Sequence, residues 1–152
     1  DFFHRFLDGC AELSSFPEEL LNETTDLTAV DLTVKSIVEL AQNEKGENYH
    51  IVNHKRASYK AMLKIFEEAG KSIALVPYDE WLKSVEAICK IDHKNPLFLI
   101  LPILKQKSWF SVHKNRLNSS RTIQQLKYKG IQWPEGNELW NVYIKESVNQ
   151  SR

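Results

Sequence analysis

Tyr78, Asp79, Glu80 and Trp81 follow Pro77 in the stretch VPYDEWLKSV, placing a phenol, two carboxylates and an indole within four positions. Such a set could move protons, provided something tunes the phenol. A lysine four residues on, over the same helical face, would lower a tyrosine pKa for that task. Four residues after Tyr49, Tyr59, Tyr78, Tyr128 and Tyr143 stand Asn53, Leu63, Leu82, Gln132 and Ser147, so the pair is missing. The stretch therefore reads first as a helix start. Pro77 ends a strand, and Asp79 and Glu80 meet the exposed amides of a first turn, worth ~0.3–1 kcal/mol. Trp81 opens the buried face.

Other constellations give the same answer. A nucleotide pyrophosphate needs closely spaced glycines at a helix start, and the glycines at 9, 46, 70, 130 and 136 never fall two or three apart. His50 and His54 have the spacing of a helical metal pair but straddle the end of a predicted strand, where that spacing does not converge, so no metal site is expected. Cys10 and Cys89 form no Cys-x-x-Cys unit and read as reduced, buried thiols of a cytoplasmic protein. There is no Gly-x-Ser-x-Gly elbow.

Charge is balanced overall but unevenly placed. Twenty basic and twenty acidic residues give a net charge of zero, which argues against a general nucleic-acid binder. Residues 6–34 carry Asp8, Glu12, Glu18, Glu19, Glu23, Asp26 and Asp31 with no Lys or Arg, whereas 105–116 hold Lys105, Lys107, Lys114 and Arg116 with no acid. Trp109 and Phe110 lie inside the basic stretch. Base stacking beside phosphate-binding lysines would look like this, as would a solvated loop with two anchored aromatics, the plainer reading.

The elements that must position these residues follow from periodicity. At 152 residues the chain fits one domain with its own core. Its longest apolar run, 97–104, contains Pro102 and is far below the ~20 residues of a membrane span. Phe3, Phe6, Leu7, Cys10 and Leu13 predict a first helix, which Ser14-Ser15-Phe16-Pro17 breaks. An extended stretch follows through 24–30. Asp31 stands as an N-cap before an apolar stripe of Val34, Ile37, Val38 and Ala41. Tyr49-His50-Ile51-Val52 and 72–76 read as strands, with a Ser58-capped helix closed by Gly70 between them. Further helices are expected after Tyr78, within 96–104, after Asn118-Ser119-Ser120, and over Leu139, Trp140, Tyr143, Ile144 and Val148. The strand–helix alternation favours an α/β arrangement.

Four blocks in chain order carry a resemblance: DFFHRFLDGCAELSSFPE, TTDLTAVDLTVKSIVELAQ, ENYHIVNHKRASYKAMLKIFEEAGKSIALVPYDEWL and TIQQLKYKGIQWPEGNELWNVYIKESV. They resemble successive parts of the carboxy-terminal region of thioester reductase domains. These are extended short-chain dehydrogenase/reductases that release products from nonribosomal peptide and polyketide synthases. The likeness covers nearly the whole chain, and its most specific part runs from Gly70 through Leu82. The block around Val30-Asp31 is shared by many extended reductases. One departure is Ser14, where glycine would be expected after the first helix.

The resemblance implies an α/β fold: a mostly helical substrate-binding lobe with a few short strands, the C-terminal portion of an extended Rossmann-type reductase. Residues 1–152 would form that single lobe. The chain opens on Asp1 with no initiator Met and a helical pattern already under way, and so reads as cut from a longer one. An NADPH-binding Rossmann portion of the same chain, with the Gly-rich loop and Tyr-x-x-x-Lys, would precede it. No catalytic or cofactor-binding residue is then expected here. Phe2, Phe3, Leu7, Tyr78 and Trp81 would line the acyl channel. Lys105, Lys107, Lys114 and Arg116 would steer an acidic, phosphopantetheine-bearing carrier domain, with neither nucleic acid nor membrane as partner. A non-catalytic docking module is the alternative, as is the equivalent lobe of a fatty acyl, carboxylic acid or aminoadipate reductase.

Overall fold

The computed structural model describes residues 2–42, 46–106 and 117–150, with side chains through Ile144. Helix α1 (Phe2–Leu13) follows the predicted stripe, and Phe6, Leu7 and Cys10 lie in the core. It ends at Ser14, which has φ +50° and is the only left-handed non-glycine residue among those described. A Cβ is disfavoured there, which gives the departure from glycine a physical meaning. Strand β1 (Ser15–Pro17) leaves this turn directly and is followed by a 3₁₀ turn, Glu18–Leu20.

Strand β2 (Thr24–Thr25) pairs antiparallel with β3 (Ala57–Ser58), Thr24 opposite Ser58. Arg56 secures the pair by donating to Thr24 Oγ1 at 2.8 Å and to the Thr24 carbonyl at 2.6 Å. Helix α3 (Tyr59–Glu68) starts where the Ser58 hydroxyl accepts the Ala61 N–H, as its sequence signals, and gives way to Gly70 at φ +80°. Strand β4 (Ala74–Val76) then returns beside β1 in parallel, with Ser15, Phe16 and Pro17 opposite Ala74, Leu75 and Val76.

Helix α4 (Tyr78–Ile91) is the element begun by the VPYDEWL stretch, with Asp79 and Glu80 in its first turn. Pro77 offers no side-chain cap; both Glu19 carboxylate oxygens instead stand 3.0 Å from the Tyr78 N–H they accept. The 96–104 run resolves into a 3₁₀ turn (Phe98–Ile100) and a short α5 (Leu101–Leu104), with Pro102 in its first turn, where a missing N–H costs nothing. Helix α6 (Ser120–Tyr128) is capped by Asn118, whose Oδ1 accepts the Ser120 N–H at 3.0 Å. Helix α7 (Gly136–Gln150) closes the described chain.

The main core gathers α1, α3, α4, α5 and α7 around Phe6, Phe16, Tyr59, Trp81 and Trp140. A smaller cluster of Leu40, Leu126, Ile131 and Trp133 joins helix α2 (Val30–Ala41) to α6. This α/β arrangement, mostly helical with short strands, is the expected fold class.

Two local expectations are corrected. Helix α2 begins at Val30, with Ala29 as N-cap and Asp31 inside the first turn. The stripe Val34, Ile37 and Val38 faces solvent, and Ser36 and Leu40 are the buried residues, because α6 packs on the other side. Residues 49–52 belong to neither sheet. Their alternation is real, since Tyr49 and Ile51 lean on the small cluster, but no described strand runs beside them.

Candidate functional site

The aromatic residues predicted to line a channel are brought together by the first turns of α1 and α4. Phe6 lies at the centre, with ring centroids 6.0 Å from Phe2 in a stacked pair and 5.8 Å from Trp81 edge-on. Phe3 contacts Trp140 at 6.4 Å, and Tyr78 lies 5.8 Å from Trp81. Leu7 and Trp81 have no exposed surface and Tyr78 is buried, whereas Phe2 and Phe3 are half-buried. Trp81 donates its indole N–H to the Ser15 carbonyl at 3.3 Å, and the Tyr78 hydroxyl donates to the Leu104 carbonyl. Of the five, Phe2 and Phe3 present surface that a ligand could touch; the other three belong to the core cluster against which those two pack.

A cleft of about 660 Å³ opens elsewhere, over the start of α3. Leu21, Ala61, Leu63 and Ile73 give it an apolar wall, and Lys60, Lys64 and Glu67 add charge of both signs. Helix α7 shapes its edge. Asn137 Oδ1 accepts the Ser58 N–H at 2.8 Å, and Trp140 donates its indole N–H to the Ser58 carbonyl at 2.9 Å. The approach requires Gly136, where a Cβ would stand 2.3 Å from the Lys55 carbonyl oxygen. Sequence periodicity marked Ser58 as a cap but gave no sign that α7 would grip it from 79 residues away.

Burial displaces the pKa of three groups near these elements. Burial pushes the Tyr59 phenol well above its ordinary value, against the opposing effect of a hydrogen bond with Thr25. Burial likewise raises the Cys10 thiol. Glu12 is raised by burial and by Asp8 and Asp92, and it accepts a hydrogen bond from Asn95 Nδ2 at 2.8 Å. It lies ten residues along α1 from Phe2, about 15 Å. Among the described residues no group of three His, Cys, Asp or Glu could hold a metal ion, and no helix is long and apolar enough to cross a membrane.

Among the described residues no left-handed glycine opens a helix. Gly70 and Gly130, at φ +80° and +71°, follow the C-terminal ends of α3 and α6, the opposite pole from a pyrophosphate cradle. Of the predicted basic patch, Lys105 is exposed and pairs with Glu86 at 2.8 Å; hydrogen bonding and charge from Lys105 lower the Glu86 pKa. Lys107, Lys114 and Arg116 lie outside the described residues.

Comparison with known proteins places this architecture. No family profile matches the chain. The terminal R domain of the myxalamid polyketide synthase–nonribosomal peptide synthetase pathway superposes with a TM-score of 0.76 at 25% identity, covering 99% of this chain and 39% of that one. An archaeal thiolation-reductase di-domain gives 0.70 at 19% identity, covering 98% of this chain and 30% of that one, a likeness of fold. The L-2-aminoadipate reductase large subunit of Eremothecium gossypii is 32% identical over 105 residues, 66% of this chain but 7% of that protein.

The fold is that of the helical lobe of a reductase domain. In fold and sequence the chain corresponds to the carboxy-terminal part of such a domain, as found in nonribosomal peptide and polyketide synthases.

Proposed function

We propose that this chain is the substrate-binding portion of an NADPH-dependent thioester reductase, which releases a phosphopantetheine-bound acyl or peptidyl chain as an aldehyde or alcohol. The observation that carries the reading is the superposition of 99% of the chain on a terminal R domain. The nucleotide would supply hydride from a Rossmann portion of the parent reductase, as the family resemblance implies. The lobe's own task is to hold the acyl chain, with Phe2 and Phe3 offering apolar surface and Leu7, Tyr78 and Trp81 lying in the core cluster behind them. A carrier domain is the partner, in keeping with the thiolation domain that accompanies the archaeal reductase. Lys105 is the described member of the patch that would steer it. The identity with an aminoadipate reductase supports aminoadipyl as a second reading of the acyl group.

The test is turnover of a carrier-bound acyl thioester with NADPH by the protein that includes roughly 250 preceding residues, a usual Rossmann-portion length. Aldehyde or alcohol should form, and Phe2→Ala/Phe3→Ala should raise KM for long acyl chains more than for acetyl. Absence of reduction with every carrier-bound thioester tried would overturn the reading.

A further inference from the structure

A second cleft, of about 310 Å³, lies against the smaller core cluster. Ile123 and Lys127 of α6, the segment Ile131, Gln132 and Trp133 that follows, and His54 and Lys55 ahead of β3 line it. That volume is within the range of small-molecule sites. Ile131 and Trp133 are buried and form an apolar floor, which the half-buried Ile123 extends.

The polar part of the lining has one character. Each polar side chain there can donate a hydrogen bond, and none is a carboxylate. Lys55 is paired with Glu135 at 2.8 Å, whereas Lys127 forms no ion pair among the described residues. The two lysines thus leave one uncompensated positive charge. The C-terminal pole of α6, which would repel an anion, is closed off. The Lys129 and Ile131 N–H groups donate to the Leu126 carbonyl at 3.0 and 2.9 Å, and the Gly130 N–H donates to the Lys127 carbonyl at 3.1 Å.

Trp133 supplies an independent observation. Its side chain is 4% exposed, and its indole N–H has no hydrogen-bond partner among the described residues. Trp81 and Trp140, also buried, donate to the Ser15 and Ser58 carbonyls. A buried donor without an acceptor carries an unrecovered desolvation cost and marks a place for a water or ligand oxygen.

We infer that this cleft binds a small monoanion with an apolar body: a carboxylate whose tail lies on Ile123, Ile131 and Trp133 and whose charge is met by Lys127, with Gln132 and His54 as further donors. One leftover charge suits a monoanion better than a phosphate dianion, and the apolar floor suits a tail. The cleft packs on the smaller cluster, whereas Phe2 and Phe3 pack on the main one. The site is therefore additional to the acyl surface proposed above, and it stands or falls without the reductase activity.

Hexanoate is the probe, titrated into isotope-labelled protein whose dispersed amide signals establish the fold, with Trp133→Phe assigning the Trp133 indole signal by nuclear magnetic resonance. That signal and the Lys127 amide should shift saturably, in the millimolar range or below. Hexanol, the tail without the charge, and inorganic phosphate, the charge without the tail, should each bind at least about tenfold more weakly. Hexanoate should lose at least about tenfold in affinity for Lys127→Glu and for Gln132→Glu, two exposed positions whose variants should keep the urea midpoint, and Lys127→Arg should retain binding. Hexanol binding as well as hexanoate would leave an apolar hollow and overturn the inference. Phosphate binding as well as hexanoate would make this a general anion site and overturn it too, as would hexanoate shifts that spare the Trp133 indole or that persist undiminished in both glutamate variants.

Discussion

Replacing Trp81 with alanine separates a core residue from a channel residue. The indole is fully buried, lies 5.8 Å from the rings of both Phe6 and Tyr78, and donates to the Ser15 carbonyl. Truncating a buried Trp to Ala costs about 3–5 kcal/mol in transfer and cavity terms, and the lost hydrogen bond falls within the upper part of that range. Against a total stability of about 5–15 kcal/mol, this leaves a marginal fold. With a urea m-value near 2 kcal/mol/M, the unfolding midpoint should move down by about 2 M. Trp81→Phe keeps most of the ring but loses the N–H, and should cost about 1–2 kcal/mol. Urea denaturation followed by circular dichroism reads both. A loss below about 1 kcal/mol for Trp81→Ala would refute this reasoning, and a changed acyl preference at unchanged stability would make Trp81 a channel residue.

Three further outcomes follow from the same structure. Ser14→Gly should leave stability unchanged or raise it by up to about 1 kcal/mol, because relief of the left-handed strain competes with added chain entropy, whereas Ser14→Val should lower the thermal midpoint. Gly136→Ala drives a Cβ into the backbone of Lys55–Ala57 and should cost about 1–3 kcal/mol, a fall in Tm of roughly 3–10 °C by calorimetry. Cys10 and Cys89, 1% and 2% exposed, should resist a thiol reagent at pH 8 until denaturant is added. Their folded-state pKa values are raised, so the stability they contribute is fully present below the ordinary value of 9.0 and is lost as pH climbs above it. Urea midpoints should therefore fall on the alkaline side, and less so for Cys10→Ala.

Local signals in the sequence carried much of this fold. The stripe of α1, the Ser58 cap, the Gly70 stop and the start of α4 at VPYDEWL all rest on interactions within a few residues, where spacing is a direct guide. What spacing could not show depends on residues far apart in the chain. Glu19 caps α4 from 59 residues away, and Asn137 and Trp140 grip Ser58 from the other end of the chain. The α2 stripe was legible as a stripe, but periodicity says only that a face is apolar, not whether this chain covers it. The same holds at 49–52, where alternation predicts an extended segment while a ladder needs a neighbour. For the candidate channel, the five aromatic and aliphatic side chains belong to or pack against one core cluster, as apolar residue type alone would bring about. Burial separates Phe2 and Phe3, which have surface to offer, from Leu7, Tyr78 and Trp81, which do not.

The central claim is that this chain recognises a substrate and that hydride chemistry belongs to another part of the protein. Titrating NADPH against this chain and against the longer protein, by nucleotide fluorescence, tests it most directly. Saturable binding by the longer protein is expected, and none by this chain up to millimolar nucleotide. Micromolar NADPH binding by this chain alone would contradict it.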